Sequence, residues 1–164
     1  MQRLLVVAHV GAIGVYLGAS VLLALLIEVV GRGAPDATVR RERWAELFNV
    51  YDPVAIAALG VVVMTGAWAI TPYKEALGKG YFEAIGHALA GKLGLAFLVV
   101  MCGTWVCFGM CHRIVRAHQW AVPVTNAELD RMLMRLRSGL WLSCALTLAT
   151  VWVALGIKVP LLAH

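Results

Sequence analysis

Two histidines lie near the starts of two apolar segments, where they could bind a haem iron or carry protons. His9 lies near the start of the first segment, and His87 lies at the start of the third. A pair of histidines on two helices at the same depth is the arrangement by which membrane cytochromes hold haem b through both axial positions. His9 and His87 are therefore the candidate iron ligands. The alternative is that they only form hydrogen bonds at headgroup depth.

Two further polar side chains accompany these histidines. Tyr16 follows His9 by seven residues, so the two share one face of a helix, and we expect Tyr16 to line the cofactor site. Lys92 follows His87 by five residues, about 140° around a helix, and lies on a different face. A lysine at this depth either extends to the interface or binds an anion.

A second candidate site is a group of soft ligands farther along the third apolar segment. Cys107 and Cys111 are four residues apart and share a helix face, and His112 follows directly. Thiolates and imidazole could together hold a soft ion such as Cu(I). Buried cysteines are also common as small apolar residues, which is the structural alternative.

The composition shows which elements must position these residues. Of 164 residues, 62% are hydrophobic and 14% are charged, against roughly 45–50% and about 25% in soluble domains. Four apolar segments, 4–30, 53–70, 88–111 and 138–157, each approach or exceed the ~20 residues that cross a bilayer as a helix. The segments lack the alternation of barrel strands. The sequence therefore predicts an all-α protein, a single four-helix transmembrane domain over 1–164, and excludes a soluble enzyme.

The basic residues predict the orientation. Most of them fall in the first and third loops: Arg32, Arg40, Arg41, Arg43, Arg113, Arg116, Arg131, Arg135 and Arg137. The positive-inside rule then places these loops in the cytoplasm and both termini outside an inner membrane. The net charge of +5 is explained by anionic lipid, so no nucleic-acid partner is expected.

The two basic loops also carry amphipathic patterns. Asp36 precedes a segment with Trp44 and Phe48, and Thr125 with Glu128 three residues later resembles a capping box. Both patterns predict short helices at the membrane interface. Asp52 is expected to cap the second span, which would begin at the following proline.

Several short motifs carry a resemblance to a known family. They are LLVVAHVGAIGVYLG in the first span, DPVAIAALGVVVMTGAWAI in the second, HALAGKLGLAFLVV in the third and IKVP near the end. Together they resemble the HemJ-type protoporphyrinogen oxidases and the related CopD-like four-helix membrane proteins. The resemblance extends over nearly the whole chain.

The resemblance implies a haem b protein that oxidises protoporphyrinogen IX. The functional histidine of the family's first span would be His9, and the functional lysine of its third span would be Lys92, the implied catalytic residue. The family's third-span histidine would fall on Ala90, whereas His87 stands one turn earlier. A porphyrin is the implied substrate.

Two alternatives remain open at this point. One is copper handling, as in CopD-like proteins, at Cys107, Cys111 and His112. The other is an accessory subunit of a larger respiratory or transport complex, or a homo-oligomer. The step of Gly14 and Gly18 favours this second alternative because small residues let helices approach closely.

Overall fold

The computed structural model describes residues 2–30 and 36–156. This part of the chain is helical and contains no strand, so the predicted all-α class is confirmed. The elements are α1 Gln2–Val30, α2 Ala37–Leu77, a 3₁₀ turn Gly78–Gly80, α3 Tyr81–Thr104, a π-helical segment Trp105–Cys111, α4 His112–Gln119 and α5 Asn126–Gly156. Arg32 and the IKVP motif, with the predicted end of the last span at Ile157, lie outside the described residues.

Four helical stretches are long and apolar enough to cross a membrane: Arg3–Val30, Ala37–Thr71, Leu89–Gln119 and Asn126–Leu155. They form a bundle in which α1 packs against α2 and α5, and α3 packs against α5 and α2. The four predicted apolar helices are therefore present. His9 lies at one end of the bundle, called below the His9 end. The opposite end, called below the arginine-rich end, carries Arg40, Arg41, Arg135 and Arg137.

α2 is longer than expected, because the predicted surface helix and the second span form one helix of 41 residues. At 1.5 Å per residue it is about 60 Å long, twice a bilayer's hydrocarbon thickness. The Asp36 carboxylate caps it by accepting the Thr38 N–H at 2.9 Å. Asp52 therefore lies inside a helix and caps nothing, and Pro53 only removes one backbone bond within it.

The aromatic residues of the first basic segment are buried instead of lying on a membrane surface. Trp44 and Phe48 are 6% and 0% exposed, and their rings stack with centroids 5.8 Å apart. They belong to the same core as Ile114 of α4 and Leu129 and Leu133 of α5. The amphipathic pattern thus extends the bundle beyond the predicted spans.

The second basic segment, like the first, is continuous with a long helix of the bundle. Thr125 and Glu128 form the predicted capping box: the Thr125 N–H donates to Glu128 Oε2 at 3.0 Å, and the Glu128 N–H donates to Thr125 Oγ1 at 3.3 Å. The helix that follows runs without a break from Asn126 to Gly156. The predicted interfacial helix is therefore the first part of α5.

Ionic contacts tie the helices together at the arginine-rich end. Arg40 of α2 reaches Asp130 of α5 at 2.5 Å and donates to Asn126 Oδ1 at 3.1 Å. Arg41 donates to the Val122 carbonyl in the loop between α4 and α5. These contacts join α2 to α5 and to the loop that precedes it, whereas α2 and α5 otherwise touch little.

Glycines have two different roles in this bundle. Gly103 of α3 lies where an added Cβ would be 2.7 Å from both the Tyr16 hydroxyl and Leu59 Cδ1, so it permits close packing. Gly14 and Gly18 of α1 are exposed, with nothing near the position of an added Cβ. The glycine step therefore does not pack inside the described bundle.

We predict that Gly103→Ala lowers the free energy of unfolding by ~1–3 kcal/mol, because the methyl group would displace a buried side chain. The matched control is Gly94→Ala on the same helix, where an added Cβ meets open space and a change within about 1 kcal/mol is expected. Thermal unfolding in mild detergent would measure both. Equal melting temperatures for the two variants would contradict the close packing at Gly103.

Candidate functional site

α1 carries three polar residues on one face, His9, Tyr16 and Ser20, called below the polar stripe. Each forms a hydrogen bond to another helix. The pairs are His9 Nδ1 with Thr65 Oγ1 at 2.7 Å, Tyr16 Oη with Ser143 Oγ at 2.5 Å, and Ser20 Oγ with Tyr51 Oη at 3.1 Å. The stripe therefore connects α1 to α2 twice and to α5 once.

The hydrogen bond at His9 defines the state of its imidazole ring. The Thr65 hydroxyl donates its one hydrogen to the Val61 carbonyl at 2.6 Å, since that carbonyl can only accept. With that hydrogen donated to Val61, the tautomer that fits the 2.7 Å contact has its proton on Nδ1, which donates to Thr65 Oγ1. In that tautomer Nε2 carries the lone pair that could bind a ligand.

His9 lines a cavity of about 240 Å³ that lies between α1, α2, α3 and α5 and is partly open. Lys92 lines the same cavity and interacts electrostatically with the His9 ring. Aliphatic side chains form most of the remaining wall. The structure thus brings together the histidine of the first span and the lysine of the third.

Two threonines complete the polar lining without offering a donor. The hydroxyls of Thr147 and Thr150 donate to the carbonyls of Ser143 and Leu146 in their own helix, both at 2.8 Å. Lys92 forms no ion pair with any residue that the structure describes. Its ammonium is therefore the group in this cavity that would bind an anionic ligand.

Two of the predicted site residues lie elsewhere. His87 is exposed and does not line the cavity, in keeping with its position about 140° around α3 from Lys92. The Tyr16 side chain is 2% exposed, and its hydroxyl is hydrogen-bonded to that of Ser143. It therefore lies in the core of the bundle and does not line the cavity. His9 and Lys92 are the predicted site residues that share a cavity.

Two of the four cysteines, Cys107 and Cys111, lie on the π-helical segment. Cys107 and Cys111 are 1% and 0% exposed, whereas His112 is exposed. Within residues 2–30 and 36–156, no group of three or more His, Cys, Asp or Glu side chains is arranged to hold a metal ion. The two thiols therefore do not belong to such a group in this part of the chain.

Sequence reasoning missed the surroundings of Asp52. Its carboxyl group lies beside the buried thiols of Cys107 and Cys111 and interacts electrostatically with both. Its Oδ1 is buried with no hydrogen-bond partner among the described residues. Reading Asp52 as a helix cap placed it at the membrane surface. The sequence does contain a signal for these surroundings, namely an acidic residue within a continuous helical pattern. Because burial of a carboxylate there is costly, such a residue is expected to have specific neighbours.

Toward a haem the cavity offers one imidazole and one ammonium. His9 would be the iron ligand, and Lys92 would be the partner of a propionate. No second histidine lines the cavity among the described residues, so the donor set does not match the predicted pair of histidine ligands. The volume of about 240 Å³ is below the ~300–1,000 Å³ of typical ligand pockets, so part of a porphyrin would extend from its open side.

No protein-family model, curated protein or solved structure matches this chain. The resemblance carried by the short motifs stays a prediction, and the function has to be inferred from the residues of the site.

We predict that Tyr16 and Ser143 stabilise the fold as a coupled pair. In a double-mutant cycle with Tyr16→Phe and Ser143→Ala, we expect a coupling energy of ~0.6 kcal/mol and no more than ~1.7 kcal/mol, the mean and the maximum for interhelical hydrogen bonds in a membrane protein. Denaturant titration in detergent would measure the free energy of unfolding. Strictly additive effects would show that the short contact contributes nothing to stability.

Proposed function

We propose that this chain is an integral membrane protein that binds haem b at His9 and has a redox function resembling that of HemJ-type protoporphyrinogen oxidases. The observation that carries the proposal is the shared cavity of His9 and Lys92. One contributes a free imidazole nitrogen and the other an ammonium without an ion-pair partner among the described residues. An iron porphyrin with propionates would satisfy both.

The proposed membrane is an inner membrane, with the arginine-rich end in the cytoplasm and both termini outside. Four long apolar helices support insertion, because such helices satisfy their backbone groups internally in lipid. The basic loops support the orientation. The first turns of α2 and α5 would then project from the bilayer on the cytoplasmic side.

Each residue of the cavity has a distinct proposed role. His9 would be the axial ligand through Nε2. Thr65 would hold the ring in the required tautomer, as partners of ligating histidines do elsewhere. Lys92 would pair with a propionate or with a substrate carboxylate, which is the catalytic contact that the family resemblance implies. A bound haem would supply the one-electron chemistry.

The same cavity supports the proposed substrate class. A porphyrinogen is a largely apolar macrocycle with carboxylate groups, and the cavity combines aliphatic walls with one cation. Electrostatic attraction in such a low-dielectric site is strong, so one lysine can orient the carboxylate edge. This is the chemistry that favours a porphyrin over a small polar substrate.

We predict that His9→Ala loses most of its bound haem, because no other histidine lines the cavity, and that Thr65→Val weakens haem affinity by ~10–100-fold. The matched control is His87→Ala, which should keep the wild-type haem content because His87 is exposed outside the cavity. Haem-to-protein ratios and oxidised and reduced spectra of protein in mild detergent would test this. A full haem complement in His9→Ala would refute the assignment.

We also predict that the two ends react differently with a membrane-impermeant maleimide in intact cells. Glu83→Cys should be labelled from outside and Glu42→Cys only after lysis, because both side chains are exposed at opposite ends of the bundle. The wild-type protein, whose cysteines are largely buried, gives the background. The reverse labelling pattern would overturn the proposed orientation.

A further inference from the structure

A groove runs between the π-helical segment and α5 near the arginine-rich end. Its volume is about 360 Å³, and it is open along its length. The lining residues are Trp105, Met134, Arg135, Ser138, Gly139 and Leu142. The groove is therefore apolar except at the end where Arg135 and Ser138 stand.

Trp105 forms one wall of this groove. Its ring lies over Gly139 of α5, where an added Cβ would be 2.8 Å from Cζ3, and over Gly109 of its own segment, where the distance to Cδ1 would be 3.1 Å. Half of the side chain is still exposed. The two glycines thus position a large apolar surface that no described residue covers.

Arg135 has no ion-pair partner among the described residues, and of the arginines at this end it is the one that lines the groove. Arg137 pairs with Glu28 at 3.5 Å, and Arg40 pairs with Asp130. One turn before Arg135, Arg131 interacts electrostatically with Glu128. The exposed Arg135 guanidinium is therefore an uncompensated cation at the end of an apolar groove.

We infer that this groove binds one anionic phospholipid. The phosphate lies at Arg135, and one acyl chain runs along Gly139 and Leu142 against the Trp105 ring. A ligand that matches both parts must be apolar over most of its length and anionic at one end. Basic pockets between transmembrane helices on the cytoplasmic side bind lipid headgroups of this kind.

The position along α5 supports a lipid over a soluble anion or a peptide. Arg135 stands where α5 changes from its arginine-containing first turns to its apolar part, so it lies at headgroup level if the bundle is inserted. Ser138 donates its hydroxyl to the Met134 carbonyl, so it offers no further donor to a polar ligand. This inference rests on the proposed membrane insertion and is independent of the proposed haem.

The first test compares lipid affinity in detergent-solubilised, haem-free protein by native mass spectrometry. We expect phosphatidylglycerol to bind more tightly than phosphatidylcholine, and Arg135→Gln to weaken phosphatidylglycerol binding about fivefold. The matched control is Arg43→Gln, an exposed arginine of α2 that does not line the groove. Equal losses in both variants, or equal retention of the two lipids, would overturn the inference.

The second test locates the acyl chain. Phosphatidylglycerol with a brominated chain should quench tryptophan fluorescence in the wild type, and a large part of that quenching should disappear in Trp105→Phe. Unchanged quenching in Trp105→Phe would place the lipid elsewhere and overturn the inference. His9→Ala should keep lipid binding, so failure of the haem proposal and failure of the lipid site give different results.

Discussion

The three hydrogen bonds of the polar stripe are the constraint on which the arrangement of this bundle depends. Leucine and valine pack about as well against lipid as against each other, so apolar faces alone do not fix how a transmembrane helix is rotated. Hydroxyl and imidazole groups do need partners when they leave water. His9, Tyr16 and Ser20 find theirs on α2 and α5, which fixes one face of α1 toward the interior.

The position and chemistry of the cavity follow from that rotation. With His9 bonded to Thr65, its second nitrogen is left to a space bounded by four helices, and α3 contributes Lys92 to the same space. The other residues around this space are mainly aliphatic, and the two threonines have already donated their hydroxyl hydrogens within their own helix. The contact with Thr65 thus favours one tautomer of the candidate ligand, at the wall of the cavity where a ligand could bind.

The sequence predicted the helices well and their rotation and ends less well. Long apolar runs were enough to predict four helices, since length and composition decide that question. The amphipathic pattern around Trp44 and Phe48 is equally typical of a helix on a membrane surface and of a longer bundle helix. In the structure the two residues form a core with α4 and α5, which is the second arrangement. Depth along a helix can be read from residue numbers, so the sequence predicts His9 and His87 at the same depth. Which side chains share a cavity depends on how the helices pack, and here Lys92 shares the cavity with His9.

The charged side chains divide into two groups with different consequences. Arg40 and Arg137 have carboxylate partners within the described chain and hold helices together at the arginine-rich end. Lys92 and Arg135 have no such partner, and each stands at an opening lined mainly by apolar side chains. The apolar side chains around such a cation solvate it poorly. A ligand with an anionic group and an apolar part therefore gains from pairing with the cation and from contact with the apolar walls. The same reasoning supports both proposals, a carboxylate-bearing macrocycle at one opening and a phospholipid at the other.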